Sequence, residues 1–196
     1  MPRSAWRLTP EPPGSAMQVA AAKQLIQRRF AAVHGASARP DYPDFLSVTP
    51  PSASAPAAVL GLRYAASGPL FLETYLDQPI EQAVSYRLER IVPREAIVEI
   101  GGLASEQKRA TVTLWARTAR DLAGEAEVAV AVLTAPLRLM FARLGLDILE
   151  IADADPARLG ARAADWGRYY ELAPKVCLGL IGPARARLAA YAGDEA

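Results

Sequence analysis

The run Val98 to Ser105, VEIGGLAS, concentrates the residues best suited to chemistry. It reads as a buried strand that frays into a glycine pair and opens into a helix. Backbone N–H groups exposed at such a point polarise a carbonyl or hold phosphate oxygens. Gly101, Gly102 and Leu103 are the candidate donors, since glycine permits close approach. An equally direct reading of Gly101 and Gly102 is a β-bulge. Glu99 sits inside the same apolar strand, where a carboxylate is costly unless it has a partner or a task.

These residues need a framework. The chain has 196 residues, of which 52% are hydrophobic, enough for one α/β or α+β domain with a good core. Lys and Arg total 22 against 21 Asp and Glu, so charge gives no argument for nucleic acid or an anionic membrane. The single cysteine, Cys177, excludes an internal disulfide. The single histidine, His34, argues against a His-based metal centre or a Ser-His-Asp triad. The N-terminal stretch lacks the apolar core of a signal peptide, and no apolar run reaches membrane-spanning length. A soluble cytoplasmic protein is the expectation.

Residues 1–14 read as a flexible arm in which Trp6 and Leu8 could form an edge strand, and 15–196 as one domain. Ser15 and Gln18 suggest a capping box. The spacing of Ala22, Leu25, Ile26, Phe30 and Val33 predicts a helix from about Ala16 to Val33, with Lys23, Arg28 and Arg29 away from its packed face and Gly35 as its stop. Strands are expected over 45–48, 57–64, 97–103, 127–133 and 147–151. Further helices are expected over 80–88, 107–122, from Pro136 to Leu144, and 184–191. Pro69 to Leu76 reads as an apolar loop or short strand. The Val/Ala run 127–133 suits a strand buried on both sides. The order implies a mixed sheet covered by helices on both faces.

The runs VLGLRYAASGPLFLETYLDQPIE, IVEIGGLAS, LTAPLRLMFARLGLDILEIADADPARL and WGRYYELAPKV resemble the thermostable hemolysin family of bacteria. That family is grouped with the GNAT acyltransferase fold, so the resemblance implies a GNAT-like mixed sheet. The layout is also similar to acyl-homoserine-lactone synthases, which place an Arg on one strand and a Glu in the strand before the donor-binding loop. Here those positions are Arg63, in GLRYA, and Glu99. The run Ser105 to Ala110 lacks the Arg/Gln-x-x-Gly-x-Gly/Ala motif of coenzyme A-binding relatives. This departure is compatible with a carrier-protein donor or with lost activity. Gly102 stands where the family resemblance leads us to expect Asn.

The resemblance implies acyl transfer from a thioester, on acyl-CoA or the phosphopantetheine of acyl-carrier protein, to a small amine. It implies no permanently bound cofactor. Such chemistry needs donors for the thioester oxygen, a route for the amine proton and a fate for the thiolate. Ser105, Lys108 and Arg109 could hold donor phosphate. Pro69, Leu70, Phe71 and Leu72 could accept the acyl chain. Glu99 either pairs with Arg63 as a buried ion pair or positions and deprotonates the amine. Arg63 either binds a substrate carboxylate or is structural. Tyr169 and Tyr170 offer a general acid or plain packing. Trp166 is expected in the core. His34 either favours the helix dipole or takes part in catalysis. Cys177 reads as a small buried hydrophobe. Two other functions stay open: a membrane-active, hemolysin-like protein, and a non-catalytic binding module on the same fold.

Overall fold

The computed structural model describes residues 16–192 apart from 40 and 52. The expected arm, its Trp6–Leu8 strand and the Ser15 cap lie outside the described residues. Helix α1 spans Ala16–His34 and buries Ala22, Leu25, Ile26 and Phe30, the stripe its spacing predicts. It stops at Gly35, whose φ of +66° lets Gly35 N and Ala36 N turn back to Ala31 O and Phe30 O at 2.9 and 3.3 Å. Val33 departs from the stripe: it is 46% exposed.

The remaining elements are β1 (Asp44–Val48), β2 (Ala58–Tyr64), α2 (Ile80–Leu88), β3 (Ile97–Ser105), α3 (Lys108–Asp121), β4 (Val128–Leu133), α4 (Ala135–Arg143), β5 (Ile148–Asp153), β6 (Lys175–Leu180) and α5 (Ile181–Leu188). Among the described residues six strands lie in the order β1-β2-β3-β4-β6-β5. Every neighbouring pair is antiparallel except β3 and β4, which run parallel at the centre. β6 is a strand beyond those expected from the sequence. Of the two readings of Pro69–Leu76, loop and short strand, the strand does not form: Phe71–Tyr75 is a 3₁₀ turn.

The sheet is covered on both faces. On one face Leu60, Leu62 and Val98 pack against Leu114 and Trp115 of α3, Phe141 of α4, and Ile181 and Leu188 of α5. On the other, Val59 and Ala104 meet α1, while Ile97, Val128 and Val130 meet Leu72 and the Ile80 and Val84 side chains of α2. This is the α/β arrangement with helices on both faces that the element order implies.

Candidate active site

β3 and β4 pair at three positions only, Ile97 with Val128, Val98 with Ala129, and Glu99 with Val130. Past Glu99 the two strands part. The cause is local: Gly102 has a φ of +59°, and the β2–β3 register slips between the Gly61–Gly101 and Val59–Ala104 pairs. One extra residue on β3 makes a bulge, which bends the strand away from its parallel neighbour. A residue with a Cβ would be strained at that φ.

A cavity of about 570 Å³ occupies the parting. Its walls include the β3 run Ile100–Ser105, the β4 residues Ala129, Ala131 and Val132, Trp115, Met140, Phe141 and Ile181 from the helices, and Leu146 from the loop after α4. Trp115 and Phe141 stack there with ring centres 4.2 Å apart. The cavity also reaches the end of α1, where Arg29, Phe30, Val33 and His34 line it. Arg29 therefore does not lie simply away from the packed face. β4 is not sealed on both sides either: Val128 and Val130 are fully buried, while Ala129 and Ala131 face this space.

Glu99 lies 2% exposed at the last paired position before the strands part. It makes no ion pair with Arg63. Its Oε2 accepts from Phe71 N at 3.0 Å and its Oε1 from Leu72 N at 2.9 Å. Burial pushes its pKa up, against the downward pull of those two donors and of Arg63. Arg63 is directly opposite in register, yet its Nη2 donates to Asp41 O at 2.5 Å and its guanidinium lies over the Tyr42 ring at 5.7 Å.

Leu70 and Leu72 are core residues, and Phe71 stacks on Trp166 at 5.6 Å; none of the three lines the cavity. The acyl path expected along Pro69, Leu70, Phe71 and Leu72 therefore does not coincide with this cavity: Leu70 and Leu72 pack in the core with Ile80 and Val84 of α2. What this turn presents to Glu99 is its backbone. Tyr170 is also outside the cavity wall: its hydroxyl shares a 2.6 Å hydrogen bond with that of Tyr75. Tyr169 is the phenol in the wall. It is buried and donates to Val132 O, on β4 beside the parting, at 3.3 Å. Burial, with Tyr170 and Cys177 nearby, raises its pKa.

Ser105 lies in the wall, but its hydroxyl is engaged in the turn before α3, donating to Gln107 O at 2.9 Å. Lys108 and Arg109 stand exposed on the first turn of α3. Glu106 beside them pairs with Arg28 of α1 at 2.6 Å, which ties α1 to the end of β3. Cys177 is buried, its thiol pushed up to about 12 mainly by desolvation. The His34 pKa is lowered by burial and then by Arg168, which works against the charge that would favour the helix dipole.

One residue of this region escaped the sequence. Tyr42, in the loop before β1, lies across the cross-strand pair Gly61 and Gly101, and a Cβ on either glycine would collide with its ring or hydroxyl. Burial pushes its pKa up, with Glu99 and Tyr169 adding to the rise. The available signal was two glycines inside strands, which mark a close approach.

The profile of the thermostable hemolysin family matches residues 13–184. The chain belongs to the thermostable hemolysin family. No curated protein was found to match it. Solved structures show where this hemolysin-family fold recurs. The acyl-homoserine-lactone synthase LasI aligns with a TM-score of 0.64 at 13% identity, covering 99% of this chain and 100% of LasI. FeeM, an N-acyl amino acid synthase from uncultured soil microbes, gives 0.61 at 11% identity, covering 97% of each chain. BjaI, a coenzyme A-dependent acyl-homoserine-lactone synthase, gives 0.62 at 12% identity over 92% of this chain and 84% of its own. At these identities the likeness is one of fold, and the hemolysin-family chain is GNAT-like. No helix among the described residues is long and apolar enough to cross a membrane.

Proposed function

We propose that this protein is an acyltransferase that moves an acyl group from a thioester donor to the amine of an amino acid or other small amine. The carrying observation is the bulge at Gly102, which opens β3 from β4 directly onto an apolar cavity. Backbone groups of Gly101, Gly102 and Leu103 border that opening, where they can meet a thioester oxygen. The cavity volume falls within the usual range for small-molecule sites, and its apolar walls suit an acyl chain. Lys108 and Arg109, on the free N-terminal turn of α3, suit the phosphates of coenzyme A or of a carrier protein's phosphopantetheine. The similar folds include synthases described as coenzyme A-dependent.

In this scheme Glu99 holds the Phe71–Leu72 turn, and through it the depth of β3 at the parting. Tyr170 braces Tyr75. Lysis, the property in the family name, has an indirect route: an acylated amine is itself a membrane-disturbing amphiphile.

The test incubates the purified protein with acyl-CoA or acyl-carrier protein of several chain lengths and a mixture of amino acids and amines. Thiol release and an acylated product identified by mass are expected. Absence of both with every donor, together with leakage of lipid vesicles by the protein alone, would replace this reading with a directly lytic one.

A further inference from the structure

An amine attacking a thioester must shed a proton, and Glu99 is badly placed to take it. Both its oxygens are occupied by backbone donors, it is closed to solvent, and it is not in the cavity wall. Among the described residues, the titratable groups that do line the cavity are Arg29, His34, Asp147, Tyr169 and Cys177. Arg29 carries only N–H donors and no acceptor. Tyr169 is already donating to Val132 O, and the Cys177 thiol is held protonated by burial. Asp147 precedes β5, which β4 and β6 separate from β3.

His34 remains. It ends α1, its ring edge-on to Phe30 at 5.6 Å and to Tyr169 at 5.3 Å. Phe30 packs in one cluster with Ala104 of β3, and Tyr169 reaches Val132 of β4. The imidazole is thus flanked by two rings, one clustered with β3 and the other hydrogen-bonded to β4. Its ring nitrogens make no hydrogen bond to any described residue.

We infer that His34 is the proton acceptor for the incoming amine, on the reading that the cavity hosts acyl transfer. The amine nitrogen attacks the thioester carbonyl carbon, the C–N bond forms and the C–S bond breaks. The proton from nitrogen passes to the imidazole and from the imidazolium to the departing thiolate, so the enzyme returns unchanged. The charged and titratable groups facing the ring are Arg168 and Tyr169 from the segment packed on α1. Burial, and then Arg168, lower the pKa of the imidazole, which favours the neutral form an acceptor requires.

Because the chain has one histidine, its titration is read without assignment ambiguity. The experiment follows the imidazole by two-dimensional nitrogen–proton NMR while a non-transferable thioether analogue of dodecanoyl-CoA is added to the full chain. In parallel, thiol release is measured against pH for the wild type, His34→Gln and His34→Asn. The expected results are a displaced imidazole resonance on binding, a kcat reduced a hundredfold or more in both variants, loss of the acidic limb of the rate profile, and partial rescue by added imidazole. An unmoved resonance in the presence of bound analogue would overturn the assignment even if the enzyme turns over. So would variants that retain kcat and the acidic limb. Wild type that releases no thiol with any donor would instead remove the acyltransferase reading on which this one stands.

Discussion

At the scale of the residue, the opening of the sheet depends on groups that are absent as much as on groups that are present. Gly61 and Gly101 face each other across β2 and β3, and the space their missing side chains leave is taken by Tyr42. The tyrosine restores the packing that two glycines forfeit in a strand and carries Arg63 on its face. This coupling has a measurable consequence. Gly61→Ala should lower stability by about 1–3 kcal/mol, the usual cost of overpacking, because the new methyl meets the ring. In a Tyr42→Ala background the same substitution should cost little or even stabilise, as alanine is a better strand residue than glycine. The difference, a coupling of about 0.5–3 kcal/mol in urea denaturation, is the prediction. Additive effects would show that Tyr42 and Gly61 do not share that space in solution.

At the scale of the element, the segment from Ala65 to Ile80 is held by ionised side chains rather than by regular pairing. Arg94 grips both oxygens of Glu73 at 2.7 and 2.9 Å, reaches Glu81 at 2.8 Å, and donates to the carbonyls of Ala65 and Gly68. Glu73 in turn accepts from Leu70 N and from Ile80 N at the start of α2. Its hydrogen bond to Arg94, opposed by burial and helped by those backbone donors, brings its pKa to about 2. A folded-state pKa below the unfolded value gives stability that is complete above about pH 4.5 and is lost as pH falls toward about 2. Thermal melts of the wild type should therefore drop across that window, and Glu73→Gln should lower Tm near neutral pH while flattening the acid slope. Equal slopes for both proteins would place the acid sensitivity elsewhere. This brace also shows where sequence reading stops. The 3.6-residue stripes of α1 and α3, the Gly35 stop and Pro136 at the start of α4 are local signals, and they mark those helices correctly. The 3₁₀ turn at Phe71–Tyr75 is fixed by Glu73, Arg94 and Glu99, up to 28 residues away, and no periodicity encodes it. β6 runs into α5 without a turn residue between Leu180 and Ile181, so the apolar stretch from Val176 to Ile181 has no internal boundary to read. In the site, Glu99 and the glycine pair stood out because a carboxylate and two glycines are unexpected in an apolar strand. Tyr42 did not, and a catalytic role for His34 was only one of two open readings, because their positions depend on where a loop and a helix end come to rest on the sheet.

At the scale of the whole molecule, the fold places an apolar volume behind the parted strands and closes it with three helices. Trp115, Met140, Phe141 and Ile181 come from those helices, Leu146 from the loop after α4, and Ala129 and Ala131 from β4 supply the floor. Small residues on the strand are what leave the volume unfilled, since the same positions in a closed sheet would carry large aliphatic side chains. If an acyl chain lies there, its permitted length is set by that floor. Ala131→Leu adds three carbons to the wall, displacing a comparable length of bound chain. At about 0.8 kcal/mol for each methylene no longer buried, the loss approaches ~2.4 kcal/mol. That corresponds to a fall of about fiftyfold in kcat/KM for long-chain donors. Donors too short to reach the floor should keep their wild-type values, so the preferred chain length shifts downward. The measurement is kcat/KM for a series of acyl donors with wild type and variant under one condition. A uniform fall across the series would mean that the substitution disturbs the fold or the opening. An unchanged long-chain preference would mean that the acyl chain lies outside this cavity.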